Sequence, residues 1–160
     1  MWLWSRSGLA SPWSGLAFPW SGLRSLHTGQ VFSLTRTFSE RDLLAFSALT
    51  GDSNPLHLDP HFAKTTAFSR PLVHGVLVNG LISALLGSNS PGCVLLKQQI
   101  RFPAPLFVGE AVSARAEVQR VRLSTAVVSV RVQTADQTEE TRVVLEGTIT
   151  VKIHKKQEIG

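Results

Sequence analysis

A single cysteine in 160 residues, Cys93, leaves no partner for an intramolecular disulfide. With no CxxC pair and no Cys/His cluster, neither a secreted disulfide framework nor a structural zinc site has the ligands it needs. That usage fits a reducing compartment. Cys93 precedes Val94, Leu95 and Leu96, and in such an apolar run it reads as a core residue rather than a nucleophile. Charge is also sparse: 17% charged against 43% hydrophobic is a globular balance that excludes extended disorder. Long apolar runs are missing too. The most apolar stretch, Pro71 to Gly87, has 17 residues and is interrupted by His74, Asn79 and Ser83, too short and too polar to cross a bilayer. No acidic residue occurs before Glu40.

The net charge of +5 raises the question of nucleic acid. Arg101, Arg115, Arg120, Arg122, Arg131 and Arg142 are scattered among apolar positions, and the one short basic cluster is Lys155-Lys156. No RNP-like aromatic motif or basic helix accompanies them. A diffuse basic surface suits an acidic protein or a phosphate-bearing substrate handle.

Residues 1–30 differ from the rest. They carry Arg6 and Arg24, no acid, many Ser, Gly, Leu and Trp, and the pattern Pro-Trp-Ser-Gly-Leu twice, from Pro12 and from Pro19. The prolines discourage a continuous helix and break up any secretory-type apolar core. Acid-free, Ser-rich composition with arginine is that of a mitochondrial transit segment. The expected organisation is therefore a targeting segment over residues 1–30, removed after import, and one domain over 31–160.

Within that domain, Gln30 to Phe38 predicts a strand. Ser39 followed by Asp42 predicts a helix start, and Gly51 its end. Gly51 to Pro55 is dense in turn formers. A short helix is expected over Pro60 to Ala67. Pro71 to Gly87 is apolar on nearly every face, the mark of a buried central helix. After the turn cluster Asn89-Ser90-Pro91-Gly92, four strands are expected: Cys93 to Phe102, Ala111 to Val121, Thr125 to Thr134 and Thr141 to Ile153. This order predicts an α+β fold, an antiparallel sheet curled around one long helix.

Chemistry concentrates in two segments. Asp52 and His57 stand five residues apart across a proline turn, which can bring a carboxylate and an imidazole to one face of a substrate. Asn54 lies between them and can fix an orientation by hydrogen bonding. The same spacing also suits an Asx-turn at Asp52 with a structural His57. In the second segment, Arg70 to Gly75, a glycine sits at a helix start, where unpaired N–H groups can face a carbonyl on which charge develops. Gly75 would let substrate approach the backbone, or serve packing alone, with His74 a first-turn residue bonded to a carbonyl.

Together the segments Thr50-Gly51-Asp52-Ser53-Asn54-Pro55-Leu56-His57, Ala63-Lys64 and Arg70-Pro71-Leu72-Val73-His74-Gly75 resemble the MaoC-like, (R)-specific enoyl-thioester hydratase family. The likeness continues through Leu85-Leu86-Gly87 and Phe102 to Glu110, and covers roughly 31–153. It implies a hot-dog fold, a curved sheet wrapped around a buried helix. It also implies a catalytic dyad of Asp52 and His57, with Asn54 supporting it, Gly75 N–H on the thioester carbonyl, and Ser83 near the dyad unless that serine serves only helix packing.

The implied reaction is syn elimination of water from a (3R)-3-hydroxyacyl thioester, or its reverse, with no metal or redox cofactor. The N-terminal segment adds the expectation of a mitochondrial matrix dehydratase of type II fatty acid synthesis. Its substrates would ride on acyl carrier protein, an acidic partner suited to a basic surface. A homodimer joined sheet edge to sheet edge is expected as well. The competing readings are a hot-dog thioesterase, a CoA-specific (R)-hydratase of fatty acid oxidation, and a non-catalytic carrier-binding subunit.

Overall fold

Along the second half of the chain, small and β-branched residues alternate with polar ones, and there the chain forms strands. The computed structural model describes residues 26–135 and 141–153. Its order is β1 (Val31–Thr37), α1 (Glu40–Thr50), α2 (Pro55–Leu58), α3 (Pro60–Lys64), α4 (Gly75–Asn89), β2 (Val94–Arg101), β3 (Ala111–Arg122), β4 (Thr125–Thr134) and β5 (Val143–Lys152). The expected α+β fold is observed: one antiparallel sheet of five strands, ordered β1-β3-β4-β5-β2. The expected targeting segment lies almost wholly outside the described residues, as does Lys155-Lys156. Among the described residues no helix is long and apolar enough to cross a membrane.

Period-two burial sets the sheet's two faces. Val112, Ala114, Ala116 and Val118 of β3 are buried, as are Ala126, Val128, Val130 and Val132 of β4. They face α4, whose Val78, Leu81, Ile82, Leu85 and Leu86 complete the core. Each such helix side chain contributes about 1.5–3 kcal/mol of burial free energy before ordering costs. On the opposite face Arg101, Glu146, Arg131 and Arg115 lie in register across β2, β5, β4 and β3. Glu146 accepts from both Arg101 and Arg131, and those bonds, that from Arg101 foremost, hold its carboxyl below the ordinary carboxylate range. Several of the scattered arginines thus form a solvated row with acidic partners.

Local signals explain the helix ends. Ser39 and Asp42 form a reciprocal capping box at α1, and those hydrogen bonds lower the Asp42 pKa. Gly51, at φ 82°, closes α1 in the left-handed conformation. Four expectations need correction. Residues 55–58 form a helical turn, α2, where a turn alone was expected, because Asn54 caps it and Pro55 stands at its first position. The short helix expected to reach Ala67 stops at Lys64, with Thr65 as its C-cap. The long helix begins at Gly75, as the reading of that glycine as a helix start had it, and does not include the apolar residues from Pro71: Leu72 instead forms a bridge with Phe107, and Val73 N–H donates to the Leu106 carbonyl at 2.8 Å. Nor is α4 buried all round, since Val76, Gly80, Ser83, Ala84 and Gly87 form an exposed stripe. Cys93 is half-buried against the core, and burial raises its pKa, as a packing cysteine requires.

Candidate active site

The loop between α1 and α2 is held by its own polar groups. Thr50 Oγ1 donates to the Phe46 carbonyl at 2.7 Å and accepts from Asp52 N–H at 3.3 Å. Asp52 Oδ1 in turn accepts from Asn54 N–H at 3.3 Å. Asn54 supports this arrangement as a helix cap: its Oδ1 accepts from Leu56 N–H at 3.0 Å, and its carbonyl accepts from His57 N–H. The Asx-turn and the approach of Asp52 to His57 therefore coexist.

His57 is fixed from the other segment. Its Nδ1 lies 2.7 Å from the Leu72 carbonyl. A carbonyl only accepts, so Nδ1 carries a proton, and in the neutral ring Nε2 keeps the basic lone pair. Leu72 is itself tied back, its N–H donating to the Leu56 carbonyl at 3.2 Å. The two motif blocks are thus joined by main-chain bonds as well as by the ring. A clamp behind Leu72 steadies them: Glu110 accepts from Arg142 at 2.7 Å and from Arg70 at 3.3 Å, and Arg70 stacks over Phe107.

The third ring of the site is His74. It is 1% exposed and lies against His57, with ring centroids 3.9 Å apart, and against Phe46 at 4.8 Å. Burial pushes its pKa below the ordinary 6.5, and neighbouring His57 adds to the shift. The Asp52 carbonyl and carboxylate, close but outside hydrogen-bond geometry, oppose it. The imidazole is thus held neutral. His74 makes no bond to a carbonyl, contrary to the reading of it as a first-turn residue so satisfied. One polar atom from each of Asp52, His57 and His74 falls within 4.8 Å of the others. A carboxylate with two imidazoles is a donor set that divalent transition metals accept, although tetrahedral zinc would draw such ligands to about 3.4 Å apart given bonds of about 2.1 Å.

His57 also lines an apolar cleft of about 380 Å³, with Gly75, Val78, Phe102, Leu106 and Val144 on its walls. Gly75 is the first residue of α4, so its N–H has no partner within the helix. Any side chain there would press on Phe102, whose ring stands 3.1 Å from the position of a Cβ. Val144 enters the wall because β5 carries an extra residue between the Val132–Leu145 and Gln133–Val143 pairs. A larger depression of about 440 Å³ lies among Arg101, Arg131 and Glu146 on the outer sheet face and includes no motif residue. The structure therefore brings Asp52, His57, Asn54 and Gly75 into one region. Ser83 stands apart, exposed on α4 and outside the cleft.

An imidazole beside a carboxylate, next to an apolar cleft that begins at a helix N-terminus, can move a proton while main-chain N–H groups stabilise charge on a carbonyl oxygen. Comparison with known proteins gives the family. The family model described as MaoC like domain matches residues 24–150. The (R)-specific enoyl-CoA hydratase of Aeromonas caviae is 48% identical over 101 residues, 62% of this chain and 75% of that protein. The solved structure of an (R)-hydratase from A. caviae superposes with a TM-score of 0.75 at 41% identity, covering 82% of this chain and 99% of that one. A 3-hydroxybutyryl-CoA dehydratase of Methylorubrum extorquens is 37% identical over 83% of this chain and 84% of its own length. The mitochondrial 3-hydroxyacyl-acyl-carrier-protein dehydratase FERN of Solanum lycopersicum is 35% identical over 61% of this chain and 59% of its own. The chain belongs to the MaoC-like family and is a hydro-lyase of the hot-dog fold.

Proposed function

We propose that this enzyme catalyses the reversible dehydration of (3R)-3-hydroxyacyl thioesters to trans-2-enoyl thioesters, with carrier-bound substrates of mitochondrial type II fatty acid synthesis. The observation that carries the reaction is the meeting of Asp52 with a tautomer-fixed His57 beside the apolar cleft that opens at Gly75. In dehydration the dyad removes the C2 proton and returns a proton to the C3 hydroxyl, which leaves as water. In hydration water adds to C3 and C2 is protonated. Gly75 N–H steadies the enolate-like thioester oxygen in either direction. His57 Nε2 and the Asp52 carboxylate act as one coupled proton store.

The carrier and the compartment rest on other supports. Plant relatives of 35–36% identity are named mitochondrial carrier-protein dehydratases. The first 30 residues have the composition of an import segment, and the net charge of +5 suits an acidic carrier. A second reading has its own support: relatives of 48% and 36% identity are named (R)-specific enoyl-CoA hydratases. Comparing kcat/KM for crotonyl thioesters of carrier protein and of CoA separates the two. A clear preference for the carrier supports the first reading, and an equal or better rate with CoA overturns it.

A homodimer is part of the proposal. Among the described residues the outer edge of β2 is unpaired, and Val94, Leu95 and Leu96 are about half exposed on it. Such an edge is ordinarily blunted or covered. The exposed stripe of α4 offers small residues for a close helix approach, and Ser83 belongs to that stripe. A monomeric mass in solution would contradict this part.

A further inference from the structure

Leu123 stands at the tip of the β3–β4 hairpin, 78% exposed and at φ 53°. A single exposed leucine is ordinary. One held in the left-handed region is not, because a bulky side chain is strained there and glycine is the usual occupant of such a hairpin position. The turn is nonetheless well tied. Thr125 Oγ1 donates to the Arg122 carbonyl at 3.0 Å, and Ile153 N–H donates to the Ser124 carbonyl at 2.8 Å. The fold thus projects a fixed apolar side chain into solvent at a cost to itself.

Its surroundings are cationic. Arg122, Thr125 and Lys152 lie in one row across β3, β4 and β5. Arg120 and Lys97 stand at the two ends of the next row that faces the same way. Buried Ala126 and Val151 lie between the two rows, so both rows face outward, away from α4. Strand geometry sets Arg122 about 10 Å from Lys152 and about 7 Å from Arg120. Among the described residues no carboxylate pairs with Arg120, Arg122, Lys97 or Lys152. Farther along the same face, Arg101 and Arg131 reach Glu146, and Arg115 reaches Glu117. The unpaired positive charge of the face is gathered at the end that carries Leu123.

We propose that this hairpin tip docks the protein on an anionic bilayer surface. Leu123 enters the boundary between headgroups and acyl chains, while Arg120, Arg122 and Lys152 stay level with the headgroup phosphates. A bilayer needs no matching pocket, which suits one projecting side chain. A stable protein partner would bury roughly 800 Å² on each side, far more than a single turn presents. Single-stranded nucleic acid would call for aromatic rings on which bases stack, and the two rows contain none. The tip is separated from the outer edge of β2 by β5, so a dimer joined through that edge leaves it free. Attachment of this kind is weak and reversible, each cation near an anionic surface being worth about fivefold in affinity. It is independent of the reaction assigned above.

The test is cosedimentation of the full chain with vesicles of phosphatidylcholine alone and of phosphatidylcholine mixed three to one with phosphatidylglycerol, at low and at physiological salt. The wild type is expected on the anionic vesicles only, and to leave them as salt rises. Arg120→Gln with Arg122→Gln should lower partitioning about 25-fold, and Leu123→Gly about tenfold. Glycine suits the positive φ, so Leu123→Gly should melt within a few degrees of wild type. Leu123→Asn, which tolerates the same φ, should weaken binding alike and serves if the glycine variant folds poorly. Failure of the wild type to sediment with anionic vesicles, or equal binding to phosphatidylcholine alone, would overturn the inference. So would leucine variants within about twofold of wild type, since charge alone is then read, as by an acidic protein or a nucleic acid. Binding that survives all these variants would place the contact elsewhere in the chain and overturn it as well.

Discussion

His57 Nδ1–H donates to the carbonyl of Leu72, fifteen residues downstream, at 2.7 Å. This one bond joins the two motif blocks and decides the tautomer of the ring. It separates what His57 does for the fold from what it does for the reaction. The Nδ2 of an asparagine can occupy the place of Nδ1, but nothing then replaces Nε2. His57→Asn should therefore keep its melting temperature within a few degrees of wild type while activity falls by about 10²–10⁴. Retention of a tenth of wild-type activity would show that Nε2 is not the group that moves the proton.

Acid lability should follow from His74. Its folded pKa lies below the unfolded value of 6.5, chiefly through burial. As pH falls past about 6.5, the unfolded chain takes up the proton first, so stability declines from there down to the folded pKa. The groups against the ring are His57, Phe46 and Asp52. Urea midpoints measured from about pH 7.5 to 5.5 should fall in the wild type and fall less steeply in His74→Phe. Parallel slopes in the two proteins would show that His74 is not kept neutral by the fold.

Gly147 on β5 packs where no side chain fits. A methyl group there would overlap the Gln99 carbonyl oxygen and press on the Ile100 backbone of β2. Main-chain atoms of a paired strand cannot turn aside as a flexible side chain would. Gly147→Ala should destabilise by about 1–3 kcal/mol, read as a lower denaturation midpoint. An unchanged midpoint would mean that β2 is not held against β5 in this register.

Much of this is legible in the sequence. Ser39 with Asp42, Gly51 and the alternation along Thr125–Thr134 mark their elements because caps and period two act locally. Asp52, Asn54, His57 and Gly75 were visible in the motif. The misreadings have a common physical origin. Asn54-Pro55 suits a turn and a helix start equally well, and the choice went to the helix α2. Pro71 to Val73 is apolar enough to extend α4, yet its main chain bonds Leu106, a partner 33 residues away. The placement of His74 against His57 and Phe46 left no mark in spacing or periodicity, because it depends on three segments meeting. Only the histidine just before a helix-starting glycine, in an otherwise apolar run, pointed there.

The most direct measurement is hydration of crotonyl-CoA by the full chain, followed at the enoyl-thioester absorbance with the product's chirality determined, beside Asp52→Asn and His57→Ala. The account predicts loss of the enoyl signal, a (3R) product, and rates lower by about 10² or more in both folded variants. A (3S) product, release of free thiol, or full activity in either variant would contradict it.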